Sequence, residues 1–141
     1  MKMNVIIVYD YEEKNILMCF RSKEPYKGLY NLVGGKIEVG EDGIESAYRE
    51  LFEETGITNE DIILTHLMDF YYYIDDVELQ VYTGKLNKKV LLVEEAHRLY
   101  WISIESNFFD MNKYAGEGNI GHMVEIINKF KNEISLMKIN G

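Results

Sequence analysis

Residues 34–57 read GGKIEVGEDGIESAYRELFEETGI. Within this stretch Ile44, Ala47, Tyr48, Leu51 and Phe52 recur at helical spacing, which predicts a helix over residues 44–55 with Gly56 as its C-terminal cap. At about 100° per residue, Glu50, Glu53 and Glu54 fall together within an arc of about 100°, on the side those apolar residues leave open. Like charges at such spacings cost an isolated helix roughly 0.2–0.5 kcal/mol per pair, so the cluster calls for a compensating cation or arginine. Alone, the three glutamates describe a solvated acidic face. A hard divalent metal would relieve their repulsion.

Outward from this helix the chain alternates short apolar runs with turns. Residues 3–9 and 16–21 are strand-like and flank the polar turn 10–15, which reads as a hairpin. Residues 22–28 hold the only proline and form an exposed loop before the apolar run 30–33, which Gly34 and Gly35 break into a second loop. Residues 62–74 and 77–86 are strand-like and joined at Asp75 and Asp76, a pair suited to a tight turn. A further strand is expected at 99–104, and a closing helix over 121–134 carries Met123, Ile126, Ile127 and Phe130. The order fits an α+β sandwich in one domain over residues 1–141, without internal repeats.

Composition narrows the class of function. A formal charge of −9 argues against binding polymeric nucleic acid, which favours a basic surface. An acidic protein still binds a polyphosphate when divalent cations bridge its carboxylates to the substrate. One cysteine excludes an internal disulfide, and no 18-residue apolar run is present, so a soluble cytoplasmic protein with no membrane partner is expected.

The flanking residues overturn the acidic-face reading. The stretch from Gly35 contains glycine, five residues, glutamate, seven residues, then Arg-Glu-Leu-x-Glu-Glu-x-Gly-Ile, and it resembles the Nudix box at Gly35, Glu41, Arg49, Glu50, Leu51, Glu53, Glu54, Gly56 and Ile57. Seven fully specified positions coincide by chance with odds on the order of 10⁻⁸ per starting point. The resemblance implies an α/β/α sandwich with a mixed β-sheet. It also implies Mg²⁺-dependent hydrolysis, with Mn²⁺ as an alternative ion, of the phosphoanhydride bond in a small nucleoside diphosphate derivative. Glu53 and Glu54 match the metal-binding carboxylates, the Gly34 carbonyl is a further ligand, and Glu50 is a ligand or the base that activates water. Arg49 is placed to pair with these carboxylates, and Glu41 to support them.

The short form and the placement of the box most resemble mutator-type nucleoside triphosphate pyrophosphohydrolases, some of which remove 8-oxo-dGTP. That branch implies an extra catalytic glutamate six residues before a tryptophan, here Glu95 before Trp101, and a base-reading asparagine, here Asn119. Asn119 alternatively caps the closing helix. Arg21 and Lys36 are candidates for substrate phosphates because they neighbour the glycines in sequence. Val33 departs from the family, which commonly has proline there. ADP-ribose, nucleotide sugars, capped nucleotides and dinucleoside polyphosphates stay open as substrates, since the box specifies diphosphate chemistry alone.

Two rivals share the fold. A non-catalytic nucleotide-sensing module has no evident need of all three glutamates. An isopentenyl-diphosphate isomerase needs a catalytic cysteine and glutamate in matching places, and Cys19 lacks that context, reading instead as a buried strand residue. His66, His97 and His122 lack metal-ligand spacing. Phe70 to Tyr73 alternate across a strand, one pair inward and one outward. The chain is expected to be a monomer or a homodimer.

Overall fold

A computed structural model describes residues 1–140, with side chains described through Lys131. The chain forms two compact units: Met1–Phe20 with Leu32–Ile104, and Arg21–Asn31 with the chain from Glu105 onward. The elements in order are β1 (Lys2–Tyr9), β2 (Asn15–Phe20), β3 (Tyr30–Lys36), α1 (Gly43–Thr55), β4 (Thr65–Tyr72), β5 (Val77–Lys85), β6 (Leu99–Ser103) and α2 (Asn119–Asn140).

The strands form one mixed sheet in the order β4-β5-β1-β3-β2-β6. Strand β1 is its centre. It runs parallel to β5 from Lys2↔Glu78 to Tyr9↔Lys85 and antiparallel to β3 from Met3↔Lys36 to Ile6↔Val33. Ile6, Ile7 and Val8 are all fully buried, as a strand covered on both faces requires. The β4–β5 hairpin forms as expected around Asp75 and Asp76. The N-terminal ammonium donates to the Asp76 carbonyl at 2.9 Å.

Two local expectations are corrected. The β1–β2 hairpin keeps a single register pair, Tyr9↔Ile16, because β3 lies between these strands and pairs with β1. Gly34 and Gly35 do not open a loop, since β3 runs through both to Lys36. At Gly34, φ is +149° and a β-carbon would lie 2.2 Å from the Asn4 carbonyl oxygen, so the close approach of β1 excludes any side chain.

Helix α1 covers part of one sheet face. Ala47 and Leu51 join Ile6, Val8, Leu17, Cys19, Val33, Tyr82 and Leu86 in the buried cluster. The packed stripe is narrower than the periodicity predicts. Ile44 and Phe52 are exposed, and Tyr48 is half-buried with its hydroxyl accepting the Leu64 N–H at 2.8 Å. Gly56 has φ +79° and donates to the Phe52 carbonyl at 2.9 Å, the left-handed cap the sequence predicts.

In the second unit, Tyr30 exchanges backbone bonds with Lys113 and Ala115, and Phe108 packs against Tyr114 with ring centroids 5.1 Å apart. Helix α2 begins two residues before the expected start and is interrupted at Phe130, where φ is −106° and ψ 16°. Its buried face is Ile120, Met123, Val124 and Ile127, while Phe130 is exposed. Among the described residues, no helix is long and apolar enough to cross a membrane.

Candidate active site

The glutamates of α1 are organised by Arg49. Its Nε donates to Glu41 Oε2 at 2.7 Å, and its Nη2 donates to Glu41 Oε1 at 2.9 Å and to the Lys36 carbonyl at 3.1 Å. Its Nη1 donates to Glu50 Oε1 at 3.1 Å and to Glu53 Oε2 at 3.2 Å. A guanidinium has five N–H donors, and these five bonds engage them all. The repulsion expected among the carboxylates is thus offset by an arginine one residue away from the first of them. With every donor engaged, Arg49 has none to spare for a phosphate.

Glu41 closes this arrangement from the loop before α1. Its backbone N–H donates to the Glu38 carbonyl, while Glu41 Oε1 accepts the Glu38 N–H, which ties the loop into a compact turn beneath the guanidinium. The Arg49 hydrogen bond holds the Glu41 carboxyl below its ordinary range, and the same bond raises the Arg49 pKa, so this pair stays ionised. Asp42 occupies the N-cap position of α1 without a side-chain cap bond.

Glu50 is far more enclosed than Glu53. Its side chain is 15% exposed against 59% for Glu53. A β-carbon at Gly35 would meet the three atoms of the Glu50 carboxylate at 2.5–2.6 Å, so this carboxylate lies directly on the glycine backbone. Burial pushes the Glu50 carboxyl above the usual glutamate value, against the lowering effect of Arg49. The carboxylate is thus held between Arg49 and the Gly35 backbone.

Gly34, Lys36, Arg49, Glu50, Glu53 and Glu54 all lie on β3 or α1, and Glu54 is half-buried. Glu95 sits on an exposed loop whose Val93 N–H donates to the Thr55 carbonyl at 2.9 Å, so the loop docks at the end of α1. At Lys36 it is the backbone carbonyl that bonds Arg49. Arg21 and Asn119 belong to the second unit. Arg21 Nε donates to the Pro25 carbonyl at 3.1 Å. Asn119 is the first residue of α2, and Gly118 supplies the carbonyl that accepts the His122 N–H, so glycine takes the cap place considered for Asn119.

The donor set consists of hard carboxylate oxygens, the ligand type that Mg²⁺ and Mn²⁺ take. Among the described residues, no three acidic, imidazole or thiol side chains converge to enclose an ion. Mg²⁺ demands no such cage, because it commonly keeps several waters and binds through one or two carboxylates plus substrate phosphates. Arg49 engages one oxygen each of Glu50 and Glu53, so their other oxygens lie outside its bonds. The donors fit a hydrated divalent ion shared with a diphosphate.

Sequence reasoning missed a buried polar bridge. Asn4 and Ser46 are 1% and 0% exposed and join at 2.8 Å. The signal was present as a lone asparagine inside the apolar run of β1. Cys19 is buried in the core cluster, His66 pairs with Asp69, and His122 meets Phe109 edge-on.

Residues 1–120 match the NUDIX domain family. The chain is 41% identical over 46 residues to an ADP-ribose pyrophosphatase of Methanocaldococcus jannaschii, a match covering 33% of this chain and 27% of that relative. It superimposes on a C. elegans Ap4A hydrolase with a TM-score of 0.74 at 20% identity, covering 93% of this chain and 98% of the other. A MutT structure from work on Aliivibrio salmonicida and Vibrio cholerae matches with a TM-score of 0.68 at 21% identity, covering 92% and 100%. These likenesses bear out the α+β fold.

Proposed function

The chain belongs to the NUDIX domain family, and from that membership we propose that it hydrolyses a phosphoanhydride bond in a nucleoside diphosphate derivative, using Mg²⁺ or Mn²⁺. The observation that carries this reading is the Arg49-centred cluster, with Glu50 held against Gly35 and Glu53 presented to solvent. Glu53 and Glu54 are the metal ligands in this proposal, joined by the Gly34 carbonyl, and Glu50 is a ligand or the general base. When bound, the ion neutralises diphosphate charge and activates water. A glutamate accepts the proton of the attacking water, a new phosphorus–oxygen bond forms, and the anhydride bond breaks to release the leaving phosphate or nucleotide. Arg49 acts by fixing the carboxylates in place before the reaction begins.

Two substrates are proposed within this class. The first is a nucleoside triphosphate such as 8-oxo-dGTP, with Asn119 reading the base, Glu95 assisting catalysis, and Arg21 and Lys36 meeting phosphates. The short form and the placement of the box motivate it, while the likeness to MutT, at 21% identity, bears on the fold alone. The second is ADP-ribose, favoured by the 41% identical stretch shared with an ADP-ribose pyrophosphatase. A cytoplasmic, one-domain enzyme, monomeric or homodimeric, completes the proposal. Purified protein with Mg²⁺ or Mn²⁺ is to be tested on 8-oxo-dGTP, dGTP, ADP-ribose and diadenosine tetraphosphate. Turnover of one or more supports the hydrolase reading, and no turnover of any with either ion favours a nucleotide-sensing module.

A further inference from the structure

We infer that Asn4 is a positioning residue for the proposed catalytic glutamate, acting through one buried amide on both the Gly35 backbone and the first turn of α1. This rests on the hydrolase reading above. Asn4 stands opposite Gly35 in the β1–β3 register, and Asn4 Oδ1 accepts the Gly35 N–H at 3.0 Å. Asn4 Nδ2 donates to Ser46 Oγ at 2.8 Å, and Ser46 Oγ donates to the Gly43 carbonyl at 2.7 Å. The donors and acceptors fix the orientation of this chain. The Gly35 N–H needs an acceptor, which turns the amide nitrogen towards Ser46 and leaves the serine proton for Gly43.

Ser46 and Glu50 are four residues apart, so they lie one above the other on the same helix face. Locking Ser46 onto the sheet therefore sets both the rotation and the height of α1 at Glu50. Gly35 is the second point of attachment, bonded to Asn4 and covered by the Glu50 carboxylate. The opposite flank of the first turn is closed as well. A β-carbon at Gly43 would meet Gln80 Oε1 at 2.0 Å and the Tyr82 hydroxyl at 2.2 Å, so the helix start sits hard against β5. Asn4 is thus the common hinge-pin between the glycine that bears the carboxylate and the helix that carries it. A nearly inaccessible amide with both ends bonded is also expensive to disturb, because an unpaired partner remains buried.

The experiment compares Asn4→Ala, Ser46→Ala and the double variant in the full chain. Amide hydrogen exchange at Gly35 is followed by NMR without substrate. Steady-state kinetics use whichever of ADP-ribose or 8-oxo-dGTP the wild type turns over faster with Mg²⁺. Folded Asn4→Ala is expected to lose Gly35 protection and, with KM little changed, to lose kcat by roughly tenfold to a hundredfold, the scale of a small misplacement of a reacting group. Ser46→Ala should lower kcat too, and the double variant should be no worse than Asn4→Ala, as expected for one coupled unit. If Asn4→Ala does not fold, Ser46→Ala decides alone. Wild-type kcat in a folded variant, or an unchanged Gly35 amide in folded Asn4→Ala, overturns the inference. A wild type inactive on the whole nucleotide panel overturns the hydrolase reading instead, while the Gly35 exchange still judges the link to Asn4.

Discussion

The carboxylate of Glu50 lies against the backbone of Gly35, so closely that a β-carbon there would stand 2.5–2.6 Å from its three atoms. The Gly35 backbone is not in the left-handed region, so alanine introduces contact rather than backbone strain. Gly35→Ala should displace the Glu50 carboxylate, with little loss of stability because the clash is with the end of a flexible side chain, and lower turnover by about tenfold or more. Thermal denaturation and kcat on the best substrate measure both effects. A folded Gly35→Ala with full turnover would separate Glu50 from catalysis.

Arg49→Lys tests whether the guanidinium positions carboxylates or contacts substrate. Lysine keeps the charge but has three donors in place of five and no bidentate fork for Glu41. The variant is expected to lose mainly kcat, with little change in KM. A rise in KM with kcat preserved would assign Arg49 to ground-state substrate binding.

Acid stability should depend on Glu41. Its folded pKa is depressed by the Arg49 hydrogen bond, so its contribution to stability is present above the unfolded value of 4.5 and is lost as pH falls through the folded value. Wild type should therefore lose more stability between about pH 6 and pH 3 than Glu41→Gln does. Urea midpoints across that range provide the measurement, and parallel curves for the two proteins would contradict the expectation.

The elements that the sequence made legible are those defined by local pattern. Helix α1 is announced by apolar spacing and ends at Gly56, whose left-handed conformation suits a residue without a β-carbon. The β4–β5 hairpin is equally local. Insertion of β3 between β1 and β2 is not, because pairing Ile6 with Val33 is decided by the whole sheet. The paired glycines suggest a turn, yet their lack of side chains serves two close approaches, of the Asn4 carbonyl to Gly34 and of Glu50 to Gly35. At the site, residue types and spacing identify the glutamates. The roles of the Lys36 carbonyl and the Asn4 amide are invisible until the fold brings them together.

Asn119 offers a choice between substrates. Gly118 supplies the first carbonyl acceptor of α2, so Asn119→Ala does not remove the N-cap. If Asn119 reads an oxidised guanine, the variant loses kcat/KM for 8-oxo-dGTP far more than for dGTP. Equal losses on the two nucleotides would remove base reading and leave the phosphoanhydride chemistry untouched.

Whether Glu53 and Glu54 hold the ion is read directly from turnover of Glu53→Gln and Glu54→Gln during Mg²⁺ and Mn²⁺ titration, with products followed by phosphorus NMR. Each substitution removes charge with little change in shape. Glu53 is exposed, so its pair with Arg49 contributes at most about 1 kcal/mol and the fold should persist. Both variants should fold, with weakened metal activation and loss of most activity even at saturating ion. Near-normal turnover of both variants at saturating Mg²⁺ would contradict that role.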